Sequence, residues 1–125
     1  MREILFRGKR KDNGEWEYGS FVQLNTVNGI EYTIVMLENF SVEVAPETVG
    51  QYTGLKDCNG KEIYEGDIVR VLLHGNPQPI GIVKYGERGI CLYTVVTEAS
   101  YSNYLLDNPK DFEVIGNIHD NPELY

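Results

Sequence analysis

Glu65-Gly66-Asp67-Ile68-Val69-Arg70-Val71 opens the part of the chain that decides the fold, and a loop holding Pro77 and Pro79 separates it from Gly81-Ile82-Val83-Lys84-Tyr85. Residues 67–73 set Ile68, Arg70 and Leu72 against Val69, Val71 and Leu73, the β-branched composition of a central strand. Gly66 is expected at positive φ, where glycine pays no steric penalty, and the Asp67 carboxylate is placed to accept backbone N–H bonds at the turn. Outward from this pair, residues 80–85 and 90–97 read as strands around the turn Gly86-Glu87-Arg88-Gly89, and residues 112–118 as a last strand. Residues 99–106 are the one helix of any size expected, because Tyr101, Tyr104 and Leu105 fall at i, i+3 and i+4 before the stop at Asn108-Pro109. The tail from Asn121-Pro122 to Tyr125 has room for one helical turn.

The N-terminal half carries the same signals. Ile4 and Phe6 share a face of residues 2–7, Lys11-Asp12-Asn13-Gly14 supplies a turn, and residues 15–24 continue with Trp16, Tyr18 and Phe21. Asn28-Gly29 then joins that strand to residues 30–37, whose apolar side chains are nearly continuous. A short strand over 42–45, a break at Pro46 and an extended piece over 48–52 precede what reads as an irregular loop. Asn13-Gly14, Asn28-Gly29 and Asn59-Gly60 all accept positive φ cheaply, which favours tight reversals over helices. The fold class is therefore mainly β, in one domain over 1–125 with an N-terminal β part, a hairpin or sheet, over about 1–52 and the remainder over 53–125.

A chain of 125 residues is large enough for a real core, and it holds no apolar run of the ~18 residues that span a bilayer and no apolar stretch after the basic start. It is expected in the cytoplasm, with no membrane partner and with Cys58 and Cys91 as reduced thiols. The net charge of −8 disfavours nucleic acid, since binding needs Lys and Arg to displace counterions. Charge is uneven, however. The first 11 residues carry +4, leaving −12 on the other 114, so Arg7, Lys9, Arg10 and Lys11 form the one basic corner, either a solvated hairpin end or a contact for phosphate or an acidic partner.

The strand pattern around Asp67 and Gly81 resembles the opening of small SH3-like and KOW-type barrels. A more extended likeness runs through Glu47-Thr48-Val49-Gly50-Gln51-Tyr52-Thr53-Gly54-Leu55-Lys56-Asp57 and Asn59-Gly60-Lys61-Glu62-Ile63-Tyr64-Glu65-Gly66-Asp67-Ile68-Val69. With the start Met1-Arg2-Glu3-Ile4-Leu5-Phe6-Arg7-Gly8-Lys9-Arg10 and the close Phe112-Glu113-Val114-Ile115-Gly116-Asn117-Ile118, then Asn121-Pro122-Glu123-Leu124, it resembles the YopX-like phage and prophage proteins. The resemblance implies a β-rich fold with an SH3-like barrel in the C-terminal half and a phage or prophage setting within a bacterial host. It supplies no activity, cofactor or catalytic residue. Gly50, Gly54, Gly60, Gly66 and Asp67 stand out as its structural signature.

The residues capable of chemistry are sparse. Cys58, His74, Cys91 and His119 are not spaced as paired zinc ligands. Cys58 lies beside Asp57, which raises a thiol pKa, and no histidine is near Cys91 in sequence. Asp57, Glu62, Glu65 and Asp67 are the densest carboxylates, a candidate cation or acid/base group set against the reading of a solvated turn. His119-Asp120 lacks a nucleophile, because Ser100 and Ser102 are in no elbow context, and the glycines at 81–89 lack the lysine of a phosphate loop. Of nine tyrosines, Tyr18, Tyr32, Tyr64, Tyr85 and Tyr93 read as sheet packing, and Tyr101, Tyr104 and Tyr125 as candidates for a protein interface. The chain is accordingly expected to be a non-enzymatic protein-binding module that forms homo-oligomers or binds a host or phage protein, with no metal, cofactor or catalytic residue. The alternatives are a nucleic-acid-binding barrel and, with least support, a carboxylate-based enzyme.

Overall fold

The computed structural model describes residues 5–35, 41–72, 79–85, 93–97, 104–105 and 108–124. Eleven strands follow one another: β1 (Phe6–Lys9), β2 (Trp16–Thr26), β3 (Gly29–Val35), β4 (Ser41–Glu43), β5 (Gly50–Lys56), β6 (Glu62–Tyr64), β7 (Asp67–Val71), β8 (Ile80–Tyr85), β9 (Tyr93–Thr97), β10 (Tyr104–Leu105) and β11 (Phe112–Asn117). Among the described residues three 3₁₀ turns, Pro46–Thr48, Pro109–Asp111 and Pro122–Leu124, each open on a proline, whose fixed φ and missing N–H suit a first helical position. The expected tail turn is the last of them. Among the described residues there is no longer helix, and none is long and apolar enough to cross a membrane.

The strands form a six-stranded sheet in the order β4-β3-β2-β1-β5-β6 and a five-stranded sheet in the order β10-β9-β8-β7-β11. The chain divides into two compact units, Met1–Tyr52 and Thr53–Tyr125, with the division falling inside β5. In the first unit Ile34 and Val44 are fully buried, and Val44 lies so close to Gly8 that a Cβ there would stand 3.1 Å from its side chain. The rings of Phe6, Phe21 and Tyr32 line one face, with centroids 5.7 and 6.2 Å apart. Lys9 ties this sheet to the first 3₁₀ turn: its N–H donates to Thr48 Oγ1 at 2.8 Å, and its carbonyl accepts from Ala45 N at 2.9 Å.

The second unit holds a core of Ile63, Val69, Val71, Val83, Val95 and Phe112, with Leu55 and Val114 packed against it. β7 is its centre, paired to β8 on one side and β11 on the other, and Ile68 on its opposite face is also fully buried. Gly66 opens β7 at φ +86°, as the sequence predicts, with its N–H donating to Val83 O and its carbonyl accepting from Ile118 N. β11 shifts register between Val114 and Gly116, where a Cβ would stand 2.6 Å from Asn121 Oδ1.

Three expectations are corrected. Among the described residues no pairing joins β10 to β11, so the second sheet is open where a closed SH3-like barrel was expected. The helix expected over 99–106 is contradicted at Tyr104 and Leu105, which pair as a strand with Val95 and Thr94, while Tyr101 and the rest of that segment outside 104–105 lie outside the described residues. An eight-residue segment with a single i, i+3, i+4 pattern is too short to resist a free sheet edge that satisfies its backbone groups. The irregular loop after residue 52 is instead the hairpin β5–β6, with Gly54 at φ +86° inside β5 and Gly60 at φ +81° in its turn. Strand hydrogen bonding continues past Gly54 because the positive φ acts as a local kink.

Candidate functional site

The basic corner is taken up largely within its own sheet. Arg7 is buried, with its guanidinium carbon 4.7 Å from the Trp16 ring centroid, and Lys9 Nζ is 5.6 Å from the same centroid. Strand alternation explains this, since Arg7 pairs with Tyr18 and Lys9 with Trp16, which sets the cations and aromatics on one face. Arg10 forms two bonds to Asp12, at 2.8 and 2.9 Å, and a longer contact of 3.4 Å to Glu17. The Arg10 hydrogen bond draws the Asp12 carboxyl below its ordinary range. Lys11 meets Glu43 at 3.1 Å. The cations that a phosphate would need are therefore largely balanced by carboxylates and a ring.

The signature carboxylates organise backbone. Asp57 is buried, and its Oδ1 accepts the N–H groups of Asn59 and Lys61, both at 2.9 Å, while Oδ2 accepts that of Val114 at 2.8 Å. Burial works against the charged form, but the bonds from Val114, Lys61 and Asn59 together with the Lys61 charge hold its carboxyl below the usual range. Asp67 Oδ2 accepts from Tyr64 N at 2.7 Å, and Glu62 accepts from Tyr64 Oη at 3.2 Å. Asp57 thus joins the β5–β6 turn to β11, and Asp67 closes the turn before β7. Among the described residues no three His, Cys, Asp or Glu side chains are grouped to hold a metal ion. Cys58 is exposed, and desolvation, followed by the charges of Asp57 and Glu113, pushes its thiol pKa up, away from nucleophilic use. Gly50 is buried opposite Arg7 in the β1–β5 pairing.

Of the tyrosines assigned to an interface, Tyr101 and Tyr125 lie outside the described residues, and Tyr104 belongs to edge strand β10. Sequence reasoning missed a different surface. β2 gives its first four residues to β1 and its last seven to β3, and β4 pairs only with Thr33, Ile34 and Val35. Among the described residues, therefore, Leu24 and Glu31, Asn25 and Ile30, and Thr26 and Gly29 pair with each other beyond both neighbours. Residues 23–30 are all exposed, and they include Leu24, Ile30 at 51% and Val27 fully in solvent. The legible signal was the run of uncharged residues from Tyr18 to Ile30 in a chain where charged residues make up 24%. Thr26 secures the turn, with its Oγ1 donating to Gly29 O at 2.8 Å and accepting from Asn28 N at 3.2 Å.

Comparison with known proteins places this architecture. No curated protein matches the chain. Among solved structures, protein yopX from Bacillus subtilis is similar over 100% of this chain and 99% of its own, at 19% identity and a TM-score of 0.56. Protein EF1440 from Enterococcus faecalis is similar over 99% of both chains, at 22% identity and a TM-score of 0.51. Those identities speak for the fold alone. The model of the YopX protein family matches residues 5–125, and the chain belongs to that family.

Proposed function

We propose that the chain is a non-enzymatic protein-binding β module that serves a phage or prophage in the bacterial cytoplasm and associates with further copies of itself. The observation that carries this reading is the exposure of large apolar side chains on a strongly acidic protein: Leu24, Val27 and Ile30 on one hairpin. An acidic surface keeps a protein dispersed, and clustered apolar groups on such a surface mark places that are covered in use. The non-enzymatic part is supported by the carboxylates themselves. Both oxygens of Asp57 and Oδ2 of Asp67 accept backbone N–H groups, and their role in holding turns accounts for them without a reaction. The balanced basic corner speaks for protein over nucleic acid as partner.

Light scattering on the purified full chain tests the reading. A mass above that of one chain at concentrations on the order of tens of micromolar is the expected result. A monomeric mass there would remove self-association, and duplex DNA bound at nanomolar strength with a steep salt dependence would replace the reading with a nucleic-acid-binding one.

A further inference from the structure

We infer that the outer half of the β2–β3 hairpin, residues 24–31, is an arm through which the chain engages a second copy of itself. This rests on the self-associating reading above and names its contact. Among the described residues the arm consists of three residue pairs and a two-residue turn beyond the strands that flank it, an overhang of roughly 10 Å. A two-stranded ribbon without neighbours is marginally stable in water, and exposed ribbons are ordinarily protected by lysine, proline or a charge that points inward. Here the corresponding positions hold Leu24, Val27 and Ile30. Leu24 faces Glu31 across the ladder and Ile30 faces Asn25, so the two apolar side chains stand on opposite faces of the ribbon, with Val27 at its tip. Apolar atoms thus surround the end of the arm, which suits an arm that reaches into another molecule better than one lying flat on its own sheet.

Charge selects a second copy as that molecule. Two copies bring together surfaces with a net charge of −8 each, so their contact is least opposed where neither side carries charge. All of the arm but Glu31, at its base, lies in such a stretch, uncharged from Tyr18 through Ile30. A basic partner would be drawn to the carboxylates elsewhere and would gain nothing from a neutral arm. A reciprocal contact, each copy offering its arm and receiving the other, closes by two-fold symmetry with no third component.

Sedimentation equilibrium on the full chain tests this with Val27→Asp, Ile30→Asp and, as a control at an exposed aromatic of β8, Tyr85→Asp; circular dichroism confirms that each variant is folded. Val27 is fully exposed, so its variant decides the matter even if Ile30→Asp fails to fold. The expected result is an associating wild type, a dissociation constant raised about tenfold or more by Val27→Asp and Ile30→Asp, and no change with Tyr85→Asp. An associating wild type that Val27→Asp leaves unaltered, or that Tyr85→Asp weakens equally, overturns the arm and leaves self-association standing. A monomeric wild type overturns both.

Discussion

Strand β7 and the outer β2–β3 hairpin use similar apolar side chains for opposite ends. β7 buries Ile68, Val69 and Val71 completely and pairs along both edges, whereas Leu24, Val27 and Ile30 sit on a ribbon that, among the described residues, pairs only with itself. Hydrophobic burial stabilises only where the apolar area leaves water within the same chain. The first region is therefore expected to set the stability of the fold. The second is expected to contribute almost nothing until something covers it.

This contrast is broken most severely in the second unit. Phe112→Ala removes a ring from the core beside Val71 and should cost about 3–5 kcal/mol, read as a large fall in the urea midpoint. A fall of a few tenths would show that the core is not where stability resides. Asp57→Asn comes next, at about 1.5–3 kcal/mol, because an amide cannot accept all three backbone N–H groups that the carboxylate accepts. The pH dependence follows from the lowered carboxyl. Its stabilisation is present above the unfolded value of about 4 and is lost as pH falls through the lower folded value. Urea midpoints should therefore drop in that acid range for the wild type and vary less for Asp57→Asn; parallel curves would contradict the assignment.

Gly66→Ala should cost on the order of 1 kcal/mol, since a Cβ would meet only ordinary contacts at His119 and Ile118 and the penalty is the positive φ alone. An unchanged midpoint would remove that role. Smallest of all, Val27→Asp should shift stability by less than about 0.5 kcal/mol in dilute solution. A larger loss there would mean that the arm is packed within its own chain and would erase the distinction between the two regions.

Single strands and turns were legible in both units, whereas the three corrected expectations all fall in the second. The strand over residues 80–85 and the positive φ of Gly66 are readable from the sequence because β-branched runs and turn glycines act locally. The segment after residue 52 was not readable as a strand, since Gly54 and Gly60 suggest a loop while their actual work is to kink and turn a hairpin. Tyr104 and Leu105 show the same limit: a strand edge decided their conformation, and edges are properties of the assembled sheet. The basic corner was legible as charge but not as geometry. Only the pairing of β1 with β2 reveals that Arg7 and Lys9 stand beside Trp16. The arm escaped notice because the sequence gives both strands and their turn but not how far β1 and β4 extend alongside them.

Amide hydrogen exchange as a function of protein concentration tests the central claim most directly. Amides of β7 should be protected equally in dilute and concentrated solution, because their partners lie in the same chain. Those of residues 24–31 should exchange freely when dilute and gain protection as concentration rises, with the gain abolished by Val27→Asp. Protection of the arm that is the same at every concentration would contradict the account.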